Sequence, residues 1–326
     1  MRKYSKNIIT AVVALVLIII LNFALPRLMI GDPVHMLTGF DEEVLSVDLY
    51  NYYYQQLGLN NPLYIQFFDY LKSLFDGSLG YSYHYESSVS ELIGERIGAT
   101  LQIAIPAVLI SSIIALFLGT FSGYKKNSAI DSALSTSAIL INSAPTFLVA
   151  MLLVITFAFS LGWFSYGGLN SIYVSGGALG YFFDRLNHLF LPIATLVIAS
   201  TPSKFLMMRN ITAQAVDEKY VTYAKMKGVS NYKICMRHIF KNIGAPFITT
   251  IGMSVGTVVS GSLVIENIFS INGMGKLISL SIGNLDYPSL QGCLFVTSVV
   301  IICAKILTDI ACVFFDPRVR YGENYD

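Results

Sequence analysis

Few residues of this sequence could support catalysis, and the stretch from Ser270 to Leu277 comes closest. Its Gly275-Lys276 pair matches part of the phosphate-binding pattern G-x-x-x-x-G-K-[ST]. Ser270 stands where that pattern needs its first glycine, and Leu277 stands where it needs the hydroxyl that binds magnesium. We therefore predict that this chain does not hydrolyse ATP, and we assign it no catalytic residue.

Histidine and cysteine, which commonly bind metals, are scattered along the chain. The four cysteines form no C-x-x-C pair and no metal-ligand spacing, and we interpret them as apolar packing residues. The four histidines fall singly in predicted loops or at helix ends. The sequence therefore predicts no metal site and no cofactor bound by this chain.

Three ionisable residues fall in or beside apolar segments, where charges are costly and mark ion pathways or internal pairs. Lys305 and Asp309 are one helical turn apart, so they could neutralise each other or serve a proton or ion pathway. Glu266 could fix an adjacent loop through a hydrogen bond, or it could face a pathway or a neighbouring subunit. The residues alone leave these alternatives open.

The elements that carry these residues are long apolar segments. Of 326 residues, 54% are hydrophobic and only 13% are charged, whereas soluble domains have about 25% charged residues. Six segments have the roughly 20 apolar residues that a helix needs to cross a bilayer. They are about 8–27, 100–123, 135–161, 188–208, 246–268 and 294–315. This pattern predicts an all-α polytopic membrane protein with six transmembrane helices.

The distribution of positive charge predicts how these helices are oriented. Placing both termini in the cytoplasm puts most of the 21 lysines and arginines on that side. Residues 1–30 are then an N-terminal tail and an uncleaved first helix. Residues 31–97 are an extracytoplasmic cap with short helices, either a docking surface or a passive connector. Residues 98–326 form the core membrane domain, with a large cytoplasmic loop at 209–245. The net charge of +1 argues against a nucleic-acid partner.

That cytoplasmic loop has the clearest local pattern. Apolar residues recur at helical spacing from Ala213 onwards and predict a helix that continues to Lys227. Gly228 is predicted to end this helix in the left-handed conformation. A second short helix is predicted over 231–242, and Pro246 is predicted to open the next membrane helix. Such a structured loop is either a docking element or a basic helix lying on anionic lipid.

The loop resembles the coupling loop of ABC importer permeases, the "EAA" loop with its Ala-x-x-x-Gly core. Its form is closest to the oligopeptide/dipeptide/nickel permease family, in which a glycine precedes a proline by 18 residues, as Gly228 and Pro246 do. The residues that carry this match are Glu218, Tyr220, Val221, Ala224, Lys227, Gly228, Arg237, His238, Asn242 and Pro246.

Further motifs resemble that family and follow its order along the chain. They are Gly31-Asp32-Pro33, Ser143-Ala144-Pro145-Thr146-Phe147, Glu266-x-x-Phe269-x-x-x-Gly273-x-Gly275, Tyr287-Pro288-x-x-x-Gly292 and Asp316-Pro317-Arg318-x-Arg320-Tyr321. Two features depart from the pattern. Tyr223 stands where alanine is expected, and residues 164–168 replace a stretch that usually contains proline.

The resemblance implies a type I ABC importer permease fold in the cell membrane and a role in peptide import. It implies that the loop is a coupling helix seated on a cytoplasmic ATPase. The expected partners are a sister permease, two ABC ATPase subunits that bind ATP and Mg²⁺, an extracytoplasmic substrate-binding lipoprotein and the lipid bilayer. Import of nickel, of metal chelates or of another small solute is the alternative within the family. A stand-alone secondary transporter and a non-transporting scaffold are alternatives outside it.

Two further groups of residues could line a path or join two permease chains. Small residues at four-residue spacing allow close helix contact, either within the chain or with a sister chain. These are Gly252, Gly256 and Ser260. The third apolar segment also has a polar break at a proline, which frees a backbone carbonyl and favours a cavity lining. The break consists of Asn142, Ser143, Pro145 and Thr146. Glu266 belongs to the same set of candidates.

Overall fold

The computed structural model describes residues 2–39, 45–230, 233–234 and 239–315. Over these residues the chain is helical apart from one small hairpin and the connecting turns. The helices are α1 (Arg2–Arg27), α2 (Pro33–Thr38), α3 (Val47–Gln56), α4 (Leu63–Phe75), α5 (Val89–Tyr124), α6 (Ala129–Asn142), α7 (Thr146–Leu153, continued by a π-helix over Val154–Ser160), α8 (Gly177–Asp217), α9 (Lys219–Met226), α10 (Phe240–Ile268), α11 (Met274–Gly283) and α12 (Tyr287–Phe315). The hairpin pairs β1 (Tyr81–Ser82) with β2 (Ser87–Ser88) in antiparallel register.

Four helices among the described residues are long and apolar enough to cross a bilayer. They are α5, α8, Ile243–Ile268 of α10 and Tyr287–Cys312 of α12. The α6 helix and the extended α7 qualify together as a fifth span. The sixth predicted segment, 8–27, lies in α1, whose described apolar stretch Val12–Arg27 is shorter than a span. The helical membrane architecture is therefore confirmed, while the count of six spans and the cytoplasmic termini stay predictions.

The third predicted segment, 135–161, is a broken span instead of a continuous helix. The α6 helix ends at Asn142, α7 begins at Thr146, and the two are bent by 96°. Pro145 lies at the break with ψ of 136°, an extended conformation. A proline has no N–H to donate, and its ring clashes with the preceding turn of a helix. The break therefore follows from this proline.

The cytoplasmic loop differs from its prediction in where its first helix begins. The expected helix from Ala213 to Lys227 is wrong, because α8 runs through to Asp217 and Glu218 has an extended backbone with ψ of 143°. A separate short helix, α9, starts at Lys219. Residues 231–232 and 235–238, which include the motif residues Arg237 and His238, lie outside the described residues, as does the closing motif at 316–321.

Pro246 lies inside α10 and does not open it, which corrects the predicted boundary. The helix begins at Phe240, so a proline stands in its second turn. An internal proline costs about 3 kcal/mol. However, Ile239 and Ile243 are buried against Met208 and other apolar residues of one cluster. Each such burial stabilises by about 1.5–3 kcal/mol, which offsets the cost of the proline.

Residue contacts divide the chain into two compact units. The first contains Met1–Thr100 and Asn272–Ile302, and the second contains Leu101–Ile271 and Cys303–Asp326. Within the second unit, α8 packs against α6, α7 and α10, so this long helix is the centre of the unit. The segment predicted as a cap, 31–97, holds the three short helices α2, α3 and α4. The division at residues 30 and 97 stays a prediction.

Candidate functional site

The coupling segment, defined as residues 218–228, is a short helix with a defined stop at each end. The extended backbone of Glu218 separates α9 from α8. At the other end, Gly228 has φ of +72°, the left-handed conformation predicted for it. The N–H of Gly228 donates to the carbonyl of Lys225 at 3.0 Å, and the N–H of Val229 donates to that of Ala224 at 3.1 Å. This pair of hydrogen bonds is the Schellman motif, which satisfies carbonyls at the end of a helix.

One face of α9 is packed against its own chain. Val221 and Ala224 are buried, and they belong to an apolar cluster with Leu116 of α5, Met208 of α8 and Ile243 of α10. The small side chain of Ala224 contacts this internal cluster, so its size serves the packing of α9.

The opposite face of α9 is open. Tyr223 is 62% exposed and Met226 is 77% exposed, and Glu218, Lys227 and Gly228 are exposed beside them. Tyr223 was noted in the sequence only as a departure from the expected alanine. Sequence reasoning therefore missed the two large apolar side chains on this face. Their helical spacing from the buried residues is the signal that could have found them.

Beneath α9 lies a buried ionic contact that sequence reasoning also missed. The Arg209 guanidinium donates from Nε to Asp131 Oδ1 at 2.9 Å and from Nη2 to Oδ2 at 2.6 Å. The Ser122 hydroxyl donates to Oδ1 at 2.6 Å, and the Asn127 N–H donates to Oδ2 at 2.9 Å. We call these four residues the Asp131 clamp. It joins α5, α6 and α8 through a bidentate arginine–carboxylate pair, the strongest common form of such contact.

The clamp lies beside a close backbone approach between α5 and α8. An added Cβ at Gly119 would lie 2.7 Å from Met208 Cβ and 3.0 Å from the Phe205 carbonyl. One at Gly123 would meet the Arg209 carbonyl and would lie 2.8 Å from Thr212 Cβ. The two glycines are four residues apart, as small residues are in close helix pairs in membranes. Only glycine therefore fits at these two points of α5.

At the surface, an exposed ion pair joins the end of α5 to the end of α8. Lys126 contacts Asp217 at the edge of an open groove. The groove is lined by Lys126, Arg209, Asn210, Ala213, Gln214 and Asp217. Exposed pairs of this kind stabilise by about 0–1 kcal/mol. The surface pair therefore adds little to the rigidity that the buried clamp supplies.

The residues predicted at the polar break are on the surface of the chain. Asn142, Ser143 and Pro145 are exposed at the 96° bend, and Thr146 is half-buried. The Ser143 hydroxyl donates back to the carbonyl of Ile139 at 2.9 Å. The bend is therefore open to whatever lies beside this chain, as a path lining would be.

The small residues of α10 have different surroundings from one another. Gly252 faces α12, and a Cβ added there would lie 2.7 Å from Thr308 Cβ. This is a contact within the chain. Gly256 is half-buried and Ser260 is exposed. Glu266 is fully buried at the last turn of α10, whereas Asn142, Ser143 and Pro145 of the bend are exposed.

Three charged residues of the apolar segments have surroundings that the sequence did not settle. Lys305 and Asp309 are both exposed on α12, and the ion pair considered as one alternative does not form between them, since the described residues show none within 4.0 Å there. Lys204 of α8 is buried. Its ammonium donates to the Ser111 hydroxyl at 2.6 Å and to that of Ser112 at 3.4 Å. Such hydroxyls compensate part of the cost of burying the charge.

These apolar spans define a polytopic helical membrane protein. The chain belongs to the family of binding-protein-dependent transport system inner membrane components. The profile of this family matches residues 111–321, and the profile of the N-terminal part of such membrane components matches residues 1–104. The chain is therefore a multi-pass permease component of the inner membrane.

Individual relatives match the chain over nearly all of its length. A Brucella abortus (strain 2308) protein named for a peptide transport system permease is 31% identical over 316 residues, 97% of this chain and 98% of the relative. The di/tripeptide transport system permease protein DppB of Pseudomonas aeruginosa (strain UCBPP-PA14) is 30% identical over 318 residues, 93% of this chain and 94% of the relative. These matches confirm the family resemblance found in the sequence.

The fold has a counterpart among solved structures. A chain of the inward-facing MetNI methionine ABC transporter superimposes with a TM-score of 0.57 at 12% identity, over 69% of this chain and 96% of that chain. At this identity the likeness concerns the fold alone. It confirms the prediction of an ABC importer permease fold.

Proposed function

We propose that this chain forms half of the translocation path of an ATP-driven peptide importer, with a sister permease as the other half. The names of its full-length relatives support the peptide cargo. The braced helix α9, with one face packed and the other open, is the observation that carries the proposal. An exposed helix held this firmly by its own chain is suited to receive force from a partner.

In this proposal the partner at α9 is a cytoplasmic ABC ATPase. Two such subunits bind ATP and Mg²⁺, and this chain binds neither. An extracytoplasmic lipoprotein delivers the peptide. Tyr223 and Met226 are the side chains of α9 that would enter the ATPase, because they are its large exposed apolar residues. Glu218, Tyr220, Val221, Ala224, Lys227 and Gly228 shape and orient the coupling segment.

Force would pass from α9 into the membrane through two contacts. The apolar cluster at Val221 and Ala224 joins α9 to α5, α8 and α10. The Asp131 clamp then keeps α5, α6 and α8 together, so these helices move as one body. Alternating access follows when this body rotates against the sister permease and exposes the bend at 142–146 to one side at a time.

The coupling role is tested by two substitutions at Gly228. Gly228→Pro imposes φ near −65° where the chain has +72°, and it removes the N–H that bonds to Lys225. Gly228→Asn is the matched control, because asparagine adopts the left-handed conformation readily. We expect Gly228→Pro to insert normally but to abolish ATP hydrolysis coupled to transport, and Gly228→Asn to retain it. Coupled hydrolysis in the proline variant would count against docking at this segment.

Cargo and partners are tested by purifying the tagged chain from its native membrane in mild detergent. We expect mass spectrometry to find a second permease, Walker-type ATPases and a binding lipoprotein. Liposomes holding that complex are then expected to accumulate labelled di- and oligopeptides only with ATP. Accumulation of a nickel chelate in place of peptides would move the assignment to the metal branch of the family. Activity of the chain alone without ATP would overturn the importer proposal.

A further inference from the structure

Helix α4 carries an apolar stripe that its own unit leaves uncovered. Tyr64, Phe68 and Phe75 are 64%, 65% and 89% exposed. Their separations of four and seven residues place them on one face of the helix. Exposed Asp69 and Lys72 lie on the polar side next to this stripe. The stripe thus consists of three large exposed aromatic side chains with a charged border.

A different face of α4 contacts α1 through aromatic rings. The ring of Phe67 meets that of Phe23 edge-on with centroids 5.0 Å apart, and Tyr70 stacks on the same ring at 6.1 Å. Tyr70 is buried. These ring contacts therefore set the orientation of the stripe relative to α1.

Polar contacts fix the level of α4 along α1. Arg27, the last residue of α1, donates from Nη2 to Gln66 Oε1 at 2.8 Å and from Nε to the same oxygen at 3.2 Å. Its guanidinium also lies 3.6 Å from the centroid of the Phe23 ring. Because Arg27 ends α1, α4 lies at the level where α1 ends.

Apolar side chains are exposed on α1 as well, in the same unit. Leu25, Leu28 and Ile30 are exposed around the end of α1. If α1 spans the membrane, as in the predicted six-span topology, these side chains face lipid at the point where α1 leaves the bilayer. Aromatic side chains are enriched at that depth, where acyl chains give way to headgroups.

We propose that α4 is an interfacial helix, whose stripe of Tyr64, Phe68 and Phe75 enters the outer part of one leaflet and anchors the cap unit to the membrane surface. Lipid is the occupant because the Arg27–Gln66 contact holds α4 at the end of α1, where exposed apolar side chains of α1 would meet the membrane boundary. A helix of this kind buries its apolar face about 5–10 Å into the headgroup and acyl boundary. The inference rests on the proposed topology of α1.

The chain has a single tryptophan, Trp163, which makes fluorescence a direct test. In a Trp163→Phe background, Phe68→Trp reports on the stripe, and Phe75→Trp repeats the measurement if the first variant folds poorly. Asp69→Trp, on the polar side of the same helix, is the matched control. Each variant of the whole transporter is reconstituted into vesicles whose acyl chains carry bromine either near the headgroup or near the bilayer centre. The Trp163→Phe parent is measured in the same vesicles, and its emission, which comes from the partner subunits, is subtracted.

We expect the tryptophan at 68 or 75 to emit at shorter wavelength than the one at 69 and to lose most of its emission to the shallow bromines. Short-wavelength emission without bromine quenching would place the stripe against the sister subunit and overturn the proposal. Long-wavelength emission that shifts only when binding protein is added would instead make it a docking surface for that protein.

Uptake measured in the same vesicles separates this inference from the proposed function. Quenching without ATP-driven peptide uptake would leave the interfacial helix standing and overturn the importer. ATP-driven peptide uptake without quenching would overturn the interfacial helix and leave the importer proposal standing.

Discussion

Two helices of the second unit have glycines four residues apart, and the pairs differ in what they meet. Gly119 and Gly123 of α5 approach the backbone of α8, beside the buried Asp131 clamp. On α10, Gly252 of the Gly252/Gly256 pair approaches one side chain, that of Thr308 on α12. A backbone cannot move aside locally, whereas rotation of Thr308 can move its Oγ1 and Cγ2, though not its Cβ, which would lie 2.7 Å from the added Cβ. The α5–α8 contact is therefore the rigid joint of this unit, and the α10–α12 contact is the more adjustable one.

This difference suggests a division of labour for the proposed coupling mechanism. The rigid joint lies next to α9, where force from a partner would enter. The adjustable contact can accommodate a change in helix angle as the body of α5, α6 and α8 moves. Variants that disturb one contact and spare the other test whether the two contacts differ in rigidity.

The largest effect is expected from Asp131→Ala, which leaves the Arg209 guanidinium without its carboxylate. Removing one partner of a buried ion pair costs about 3–5 kcal/mol, and the part exposure of Arg209 places the loss near the lower end. Thermal unfolding of the purified transporter measures it. Asp217→Ala is the control, because it breaks only the exposed pair with Lys126, worth about 0–1 kcal/mol. Equal shifts in the two variants would mean that the clamp is no stronger than the surface pair.

Gly123→Ala is expected to come next, since its methyl group would collide with the Arg209 carbonyl and with Thr212. Overpacking of this kind costs about 1–3 kcal/mol. Gly94→Ala on the same helix is the control, because an added Cβ there meets no atom within 4 Å. Alanine is favoured over glycine in a helix by up to about 1 kcal/mol, so the control should be neutral or more stable. A neutral Gly123→Ala in the same unfolding assay would mean that α5 and α8 can separate.

Sequence reasoning found one of these glycine pairs and missed the other. It selected Gly252 and Gly256 because they are spaced for a close helix contact, but spacing does not say whether backbone or side chain lies opposite. Gly119 and Gly123 have the same spacing and were passed over. The Asp131 clamp was equally hidden, because its charged partners are 78 residues apart in the chain. Such long-range pairing is set by how α5, α6 and α8 pack, which no local pattern records.

Local backbone conformation was predicted better than contacts between residues far apart in the sequence. The apolar runs located five of the spans, and the glycine at 228 correctly indicated a left-handed helix end. Pro145 marked the break in the third segment, although the sequence gives no measure of its 96° bend. The break at Glu218 was missed, because its neighbours in sequence favour a continuous helix. Because Val221 and Ala224 are buried against residues of other helices, α9 is a separate helix and not a continuation of α8.

Gly252→Ala is expected to have a somewhat smaller effect than Gly123→Ala, because rotation can move Thr308 Oγ1 and Cγ2 away, so that only the Thr308 Cβ at 2.7 Å forces α12 to shift. The expected loss is about 1–2 kcal/mol, in the lower part of the range for overpacking. Adding Thr308→Ala removes two of the three atoms that the new Cβ would meet, so the double variant should recover part of the loss. A double-mutant cycle in unfolding free energy measures this coupling. Full additivity would show that the two helices do not contact each other at this point.

The smallest effect on stability, with a large effect on function, is expected from Tyr223→Ala. The side chain is 62% exposed, and exposed substitutions usually change stability by less than about 0.5 kcal/mol. If the open face of α9 enters an ATPase, the loss of this ring should nevertheless reduce the ATPase stimulation that the binding protein and peptide cause. Thr222→Ala, exposed beside it, is the control and should retain stimulation. Tyr223 lies outside both glycine contacts. A loss of ATPase stimulation without a loss of stability would therefore show that α9 receives the force from the ATPase, while the α5–α8 contact stays intact to transmit it. Unchanged stimulation would instead place that entry elsewhere on the cytoplasmic surface.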